Sequence, residues 1–185
     1  MTTRKLHIGG IQRTDGWEIL NALSGPHVDH LCDARDLSIF EDNTFSDVYA
    51  SHVLEHFDYI KELSSILGEW YRILKPGGTL YVSVPDLDIL ASLFIARDRF
   101  NINDRFIMMQ MMFGGHINKY DYHQVGLNQE FLQHFLSQAG YTNIQRVNTF
   151  GFFNDTSTVL FKGIPISLNV KAEKTSITSN GASSS

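Results

Sequence analysis

Three stretches of this 185-residue chain hold side chains that could do chemistry. Ser51-His52-Val53-Leu54-Glu55-His56 sets two imidazoles and a carboxylate in one short run. Its spacing fits H-x-x-E-H, a zinc-hydrolase signature that needs these residues on one helix and a further ligand downstream. Here His52 directly follows an apolar strand-like run, so zinc hydrolysis is disfavoured and no metal site is expected. Gly114 to Gly126 is dense in histidine, tyrosine and asparagine with no long apolar period. That reads as a polar loop, and such loops carry sites. Imidazole titrates near neutral pH, so His116 or His123 could take a proton from a hydroxyl group. Tyr120 and His123 could also simply brace the loop. Finally, Gly9-Gly10 closes the apolar run Lys5 to Ile8, and glycines at a strand end let a ligand approach the backbone closely.

The elements that must position these residues follow from periodicity. Asp47 to Ser51 reads as a short buried strand. Asp58 to Leu74 places Ile60, Leu63, Ile66, Leu67, Trp70, Ile73 and Leu74 at helical spacing. Lys75-Pro76-Gly77-Gly78 stops that helix, and Thr79 to Val84 follows as an uncharged, β-branched run, the pattern of a strand covered on both faces. The unit is βαβ, with parallel strands and a right-handed crossover. In such a sheet ligands bind beyond the carboxyl ends of the strands, where Ser51, His52, Glu55 and His56 fall, with Asp86 and Asp88 after the next strand. Lys5 to Ile8, Gly16 to Asn21 and Val28 to Cys32 supply further short strands. Helices are predicted over Asp86 to Arg99, Asn101 to Phe113 and Gln129 to Gln138, the last capped by Asn128 and stopped by Gly140. Met108, Met109, Met111 and Met112 in the second of these could serve a substrate lid or a homodimer face, with ordinary core packing the safer reading. Asn143 to Thr149 and Ser157 to Phe161 read as a closing hairpin.

Composition sets bounds on function. At 43% hydrophobic and 19% charged, the chain can fold as one domain. A net charge of −5 without any basic block disfavours nucleic acid or an anionic membrane surface as partner and favours a small or neutral ligand. A lone Cys32 suits a reducing compartment, and neither a signal-length nor a membrane-length apolar run occurs, so a soluble cytoplasmic protein is expected.

Phe45-Ser46-Asp47-Val48-Tyr49-Ala50-Ser51-His52-Val53-Leu54-Glu55-His56, followed by Arg72-Ile73-Leu74-Lys75-Pro76-Gly77-Gly78-Thr79-Leu80-Tyr81-Val82-Ser83-Val84-Pro85, resembles the class I S-adenosylmethionine-dependent methyltransferases, in the small type 11 branch. The resemblance runs from about Lys5 to Lys162. It implies an α/β, Rossmann-like methyltransferase fold, a mostly parallel twisted sheet with a C-terminal antiparallel hairpin and a shortened first half. It also implies a domain over residues 1–166, and the Lys, Thr, Ser and Gly drift of 167–185 reads as a disordered tail.

By the same resemblance S-adenosylmethionine is the cofactor. Gly9 and Gly10 would lie under its methionyl and ribose portion, with Asn21 at the ribose hydroxyls and Asp33 at the adenine amine. Ala34 would leave room for the ring, Ser51 and His52 would border the methionyl end, and His56 would line the cleft or cap a helix. His116 and His123 would sit on a lid over the mouth. Three positions depart from the pattern: His7 replaces Asp or Asn, Ile11 replaces a second glycine, and Asn21 replaces an acid. Asn21 could instead be a turn residue before Ser24-Gly25-Pro26. The expected function is methyl transfer to a small-molecule or glycan acceptor, through a hydroxyl. The alternative is a cofactor-impaired relative acting as a binding or regulatory partner. A nicotinamide enzyme is disfavoured because G-x-G-x-x-G is absent.

Overall fold

A computed structural model describes residues 3–176. Strands β1 (Lys5–Ile8), β2 (Glu18–Asn21), β3 (His30–Leu31), β4 (Phe45–Ser51) and β5 (Leu74–Pro85) run parallel. β6 (Tyr141–Val147) lies at the far edge, β7 (Leu160–Phe161) and β8 (Ile164–Pro165) form a separate ribbon, and β9 (Ser167–Lys174) returns to the main sheet. The main sheet has the order β3-β2-β1-β4-β5-β9-β6, with β9 antiparallel to both neighbours. The chain order reverses between β1 and β4, so the crevice of this sheet opens there.

Helices α1 (Leu63–Ile73) and α4 (Gln129–Gln138) cover one face. Leu6, Ile8, Val48, Ala50, Leu80 and Val82 point into that layer and meet Leu67, Trp70, Leu132 and Leu136. α2 (Leu87–Ile95) and α3 (Ile102–Phe113) pack on each other, and Leu90, Leu93 and Met108 join Phe100, Phe161 and Ile166 in a second small core. The core reading thus holds for Met108, whereas Ile102, Phe106 and Phe113 leave an exposed apolar stripe along α3.

The other sheet face has no α-helix among the described residues, because the 9–17 and 22–29 connections are too short and irregular to form one. The first half is shortened as expected, but β5 is not sandwiched between helices. Phe150, Phe152 and Phe153 instead fold over that face onto Trp17, Tyr49 and Tyr81.

Two boundaries need correction. Ser167 to Lys174, expected in a disordered tail, is a strand flanked on both sides, with Leu168, Val170 and Ala172 buried. The domain therefore extends past residue 166, and the remainder of that tail, 177–185, lies outside the described residues. Consequently the expected arm at Asn143 to Thr149 is β6 (Tyr141–Val147), which pairs with β9 through Tyr141, Thr142 and Gln145 to Val147, and not with Ser157 to Phe161, which forms a 3-10 turn and the short β7. The antiparallel hairpin is real, with its second arm further along the chain. α1 also begins later than Asp58, whose carboxylate accepts the Ile60 and Lys61 N–H groups and holds a turn instead.

Candidate active site

The carboxyl ends of β1, β2 and β4 surround a cleft of about 220 Å³. β1 leads into Gly9, which takes φ +78°, and a Cβ there would lie 2.7 Å from the Val53 side chain. Only glycine allows that turn beside the cleft wall. Ile8, Leu20, Leu23, Val53 and Phe57 give the cleft apolar walls, and Asn21, Asp33, Ala34, His52 and His56 line it at the strand ends. Lys119, Tyr120, Tyr122 and Gln124 complete the lining from the 114–126 segment. That segment is tied down by Gln124 N–H donating to the Glu55 carbonyl at 2.7 Å and by the Gln124 amide donating to the His56 carbonyl at 3.1 Å.

Asn21 has a structural duty that an acid could not perform. Its Nδ2 donates to the Gly10 carbonyl at 3.0 Å, and its Oδ1 accepts the Leu23 N–H at 2.9 Å. The amide thereby braces the glycine turn and still leaves one lone pair on Oδ1. Asp33 bonds the backbone and guanidinium of Arg35, yet its side chain remains 41% exposed at the cleft.

Beneath the lid lies a second cluster. Glu55, in a 3-10 turn over Leu54–His56, is 2% exposed, and neither carboxylate oxygen has a hydrogen-bond partner. Desolvation pushes its pKa up to about 8. His52 Nδ1 lies 3.3 Å from Glu55 Oε1 and His123 Nε2 lies 4.0 Å from it, both without hydrogen-bonding alignment. Burial lowers His52 and His123 to about 4, and lowers His56 as well, so all three imidazoles are neutral near pH 7. His52 also takes a positive φ of 53°, a sparsely populated backbone state for a non-glycine residue at a strand end.

Residues 19–82 match the family model described as "Methyltransferase domain", and they span β2 through most of β5. That stretch, about a third of the chain, is similar to methyltransferase domains. Solved structures agree in fold. The CurJ carbon methyltransferase is 17% identical at a TM-score of 0.56, over 94% of this chain and 49% of its own. A SAM-dependent methyltransferase from Archaeoglobus fulgidus is 16% identical at 0.58, over 93% and 86%. The Burkholderia thailandensis 1,6-didemethyltoxoflavin-N1-methyltransferase, solved with its substrate and S-adenosylhomocysteine, is 13% identical at 0.57, over 94% and 72%. The chain thus spans about half the length of the CurJ protein. No curated protein matches it.

The cleft has groups that fit S-adenosylmethionine, the cofactor that the resemblance implies. Ala34 adds little bulk to a lining shared with Leu20, Leu23 and Phe57, and Asn21 Oδ1 and the Asp33 carboxylate offer acceptors there. Of the residues expected to bind it, the structure brings Gly9, Asn21, Asp33, Ala34, His52 and His56 together on this one cleft. Gly10 and Ser51 line an adjoining cavity of about 250 Å³ instead, with Gln12, Thr14 and Asn154. Neither expected catalytic histidine lines the cleft. His123 lies behind His56, ring centroids 4.9 Å apart, and holds the Met112 carbonyl through Nδ1. His116 stacks on Tyr122 at 4.0 Å out on the lid.

Two of the three departures, Ile11 and His7, face away from the cleft, and only Asn21 lines it. Ile11 is 74% exposed and borders the adjoining cavity. Trp17 packs under Phe152 and Phe153 on the sheet face that the aromatic strap covers. His7 lies there too, against Tyr49 and Phe153, and burial lowers its pKa to about 4, so it behaves as a neutral aromatic. Glu55 stands out in the sequence only through its place in H-x-x-E-H at a strand end, and spacing gives no sign that its carboxylate is buried.

Proposed function

We propose that the domain transfers the methyl group of S-adenosylmethionine to a hydroxyl of a small neutral acceptor, a small molecule or a glycan. The observation that carries this reading is the cleft itself, which gathers Gly9, Asn21, Asp33, Ala34, His52 and His56 at the reversal point of the sheet. The cofactor supplies an electrophilic methyl carbon. In-line transfer then demands mainly that the acceptor atom be held at the right distance and angle. Tyr120 and Tyr122 on the lid, with His52 and His56 opposite, are the residues placed to hold it and to exclude water. A hydroxyl acceptor must also lose its proton. His56 is the group placed to accept that proton, because His116 lies outside the cleft, His123 sits behind His56, and Glu55 already holds a proton near pH 7.

Calorimetric titration with S-adenosylmethionine tests the reading. Micromolar binding in the full chain, weakened about tenfold or more by Asp33→Ala through loss of one charge-assisted hydrogen bond, supports it. Absence of heat at millimolar cofactor refutes it.

One observation favours a second reading, a cofactor-impaired binding partner. No helix follows Gly9-Gly10 among the described residues, so the cleft lacks the helix N-terminus that commonly attracts an anionic group beyond the first strand. The same titration separates the two. A homodimer through the exposed Ile102, Phe106 and Phe113 stripe is part of the proposal, and light scattering that finds only monomer at high concentration removes it.

A further inference from the structure

We infer that Glu55, His56 and His123 form a binding site for a divalent metal ion of the zinc type beside the cleft. One ligand atom from each of the three lies within 4.8 Å of the others. A tetrahedral zinc with bonds of roughly 2.1 Å sets its ligand atoms about 3.4 Å apart, so a modest contraction of the lid suffices. Glu55 is the stronger indication. Its carboxylate is buried with both oxygens unpartnered, an arrangement that a native fold rarely leaves without a proton or a cation.

The imidazoles are prepared in the manner of metal ligands. His123 Nδ1 lies 3.3 Å from the Met112 carbonyl and His56 Nδ1 lies 3.2 Å from the Tyr122 carbonyl. A carbonyl only accepts, so each Nδ1 carries the hydrogen and each neutral ring keeps an unprotonated Nε2. A backbone carbonyl that fixes the tautomer of a ligating histidine is the usual outer partner at zinc sites. Two histidines and a carboxylate leave a further coordination position for water or an acceptor hydroxyl.

The three ligands come from two places in the chain, the turn after β4 and the lid. The ion would therefore fasten the 114–126 segment over the cleft. It would also make a bound hydroxyl easier to deprotonate. Metal binding itself does not rest on the methyl-transfer reading, so either can fail alone. Binding must displace the Glu55 proton, and the charged or titratable groups around that carboxylate are His52, His56 and His123, with Asp121 and Asp155 further out. Affinity should accordingly rise from pH 6 toward pH 8, where the carboxyl ionises.

The test is calorimetric titration of the chelator-treated full chain with zinc, alongside cobalt substitution read by visible absorption. The expected result is one zinc per chain, with tetrahedral cobalt bands. Glu55→Gln and His123→Ala should weaken binding by about a hundredfold or more, while His134→Ala on the exposed face of α4 leaves it unchanged. Lack of binding at millimolar zinc, or binding that both site variants leave intact, overturns the proposal. Should a variant fail to fold, the wild-type cobalt spectrum still decides, because weak octahedral bands also overturn it.

Discussion

Burying Glu55 with both oxygens unpartnered costs the fold stability that depends on pH in a definite direction. Between about pH 6.5 and 8 the folded chain keeps a proton on Glu55 that the unfolded chain has already released, so stability falls as pH rises. His7, His52 and His123, lowered to about 4, act oppositely below their ordinary value of 6.5, where the unfolded chain binds protons that the folded one does not. Their contribution is lost as pH falls from 6.5 toward 4. With metal chelated, urea melts should show a loss of about 1 to 2 kcal/mol from pH 6.5 to 8, and Glu55→Gln should flatten it. Asn21 yields a second test. Asn21→Asp, which restores the residue type that the family resemblance leads one to expect, removes the donor to the Gly10 carbonyl and sets a carboxylate against it. A loss of about 1 to 3 kcal/mol is expected, read as a fall in Tm of several degrees. A more stable variant would show that the brace is unimportant.

Among the elements, the aromatic strap and β9 differ most from what the sequence suggests. The helices and the β4-α1-β5 unit were legible because their apolar spacing and their stops coincide, as at Gln129 to Gln138 between Asn128 and Gly140. β9 was not. Its alternate positions Asn169, Lys171 and Glu173 are polar because they lie on the face without α-helices, so the run reads as tail. Truncation after Ile166 should therefore abolish cooperative unfolding, and a chain ending there that still melts sharply would contradict the seven-strand order. The strap was hidden for a related reason: Phe150, Phe152 and Phe153 form no strand or helix, and their role exists only against Tyr49 and Tyr81. Phe153→Ser should cost about 2 to 3 kcal/mol and shift the emission of Trp17, which meets Phe153 edge to face at 5.2 Å. Unchanged emission would mean that the face is not covered as described.

Over the whole molecule, the sheet order follows that of the solved methyltransferase structures, with one α-helical layer in place of two among the described residues. That difference explains the three sequence departures together. With no helix behind β1, His7 is free to become an aromatic contact, Ile11 can face solvent, and Asn21 is needed to hold the Gly10 turn from the side. The cofactor residues were readable as positions along the strand ends. Their division between the cleft and the adjoining cavity, and the retreat of His123 behind His56, depend on side-chain directions that spacing does not encode. A crystal structure of the full chain with S-adenosylhomocysteine is the direct measurement. Density for the nucleoside between Asn21 and Asp33, with its sulfur toward His52 and His56 beneath Tyr120 and Tyr122, is the predicted result. An empty cleft at saturating ligand, or a nucleoside seated against the aromatic strap, would contradict it.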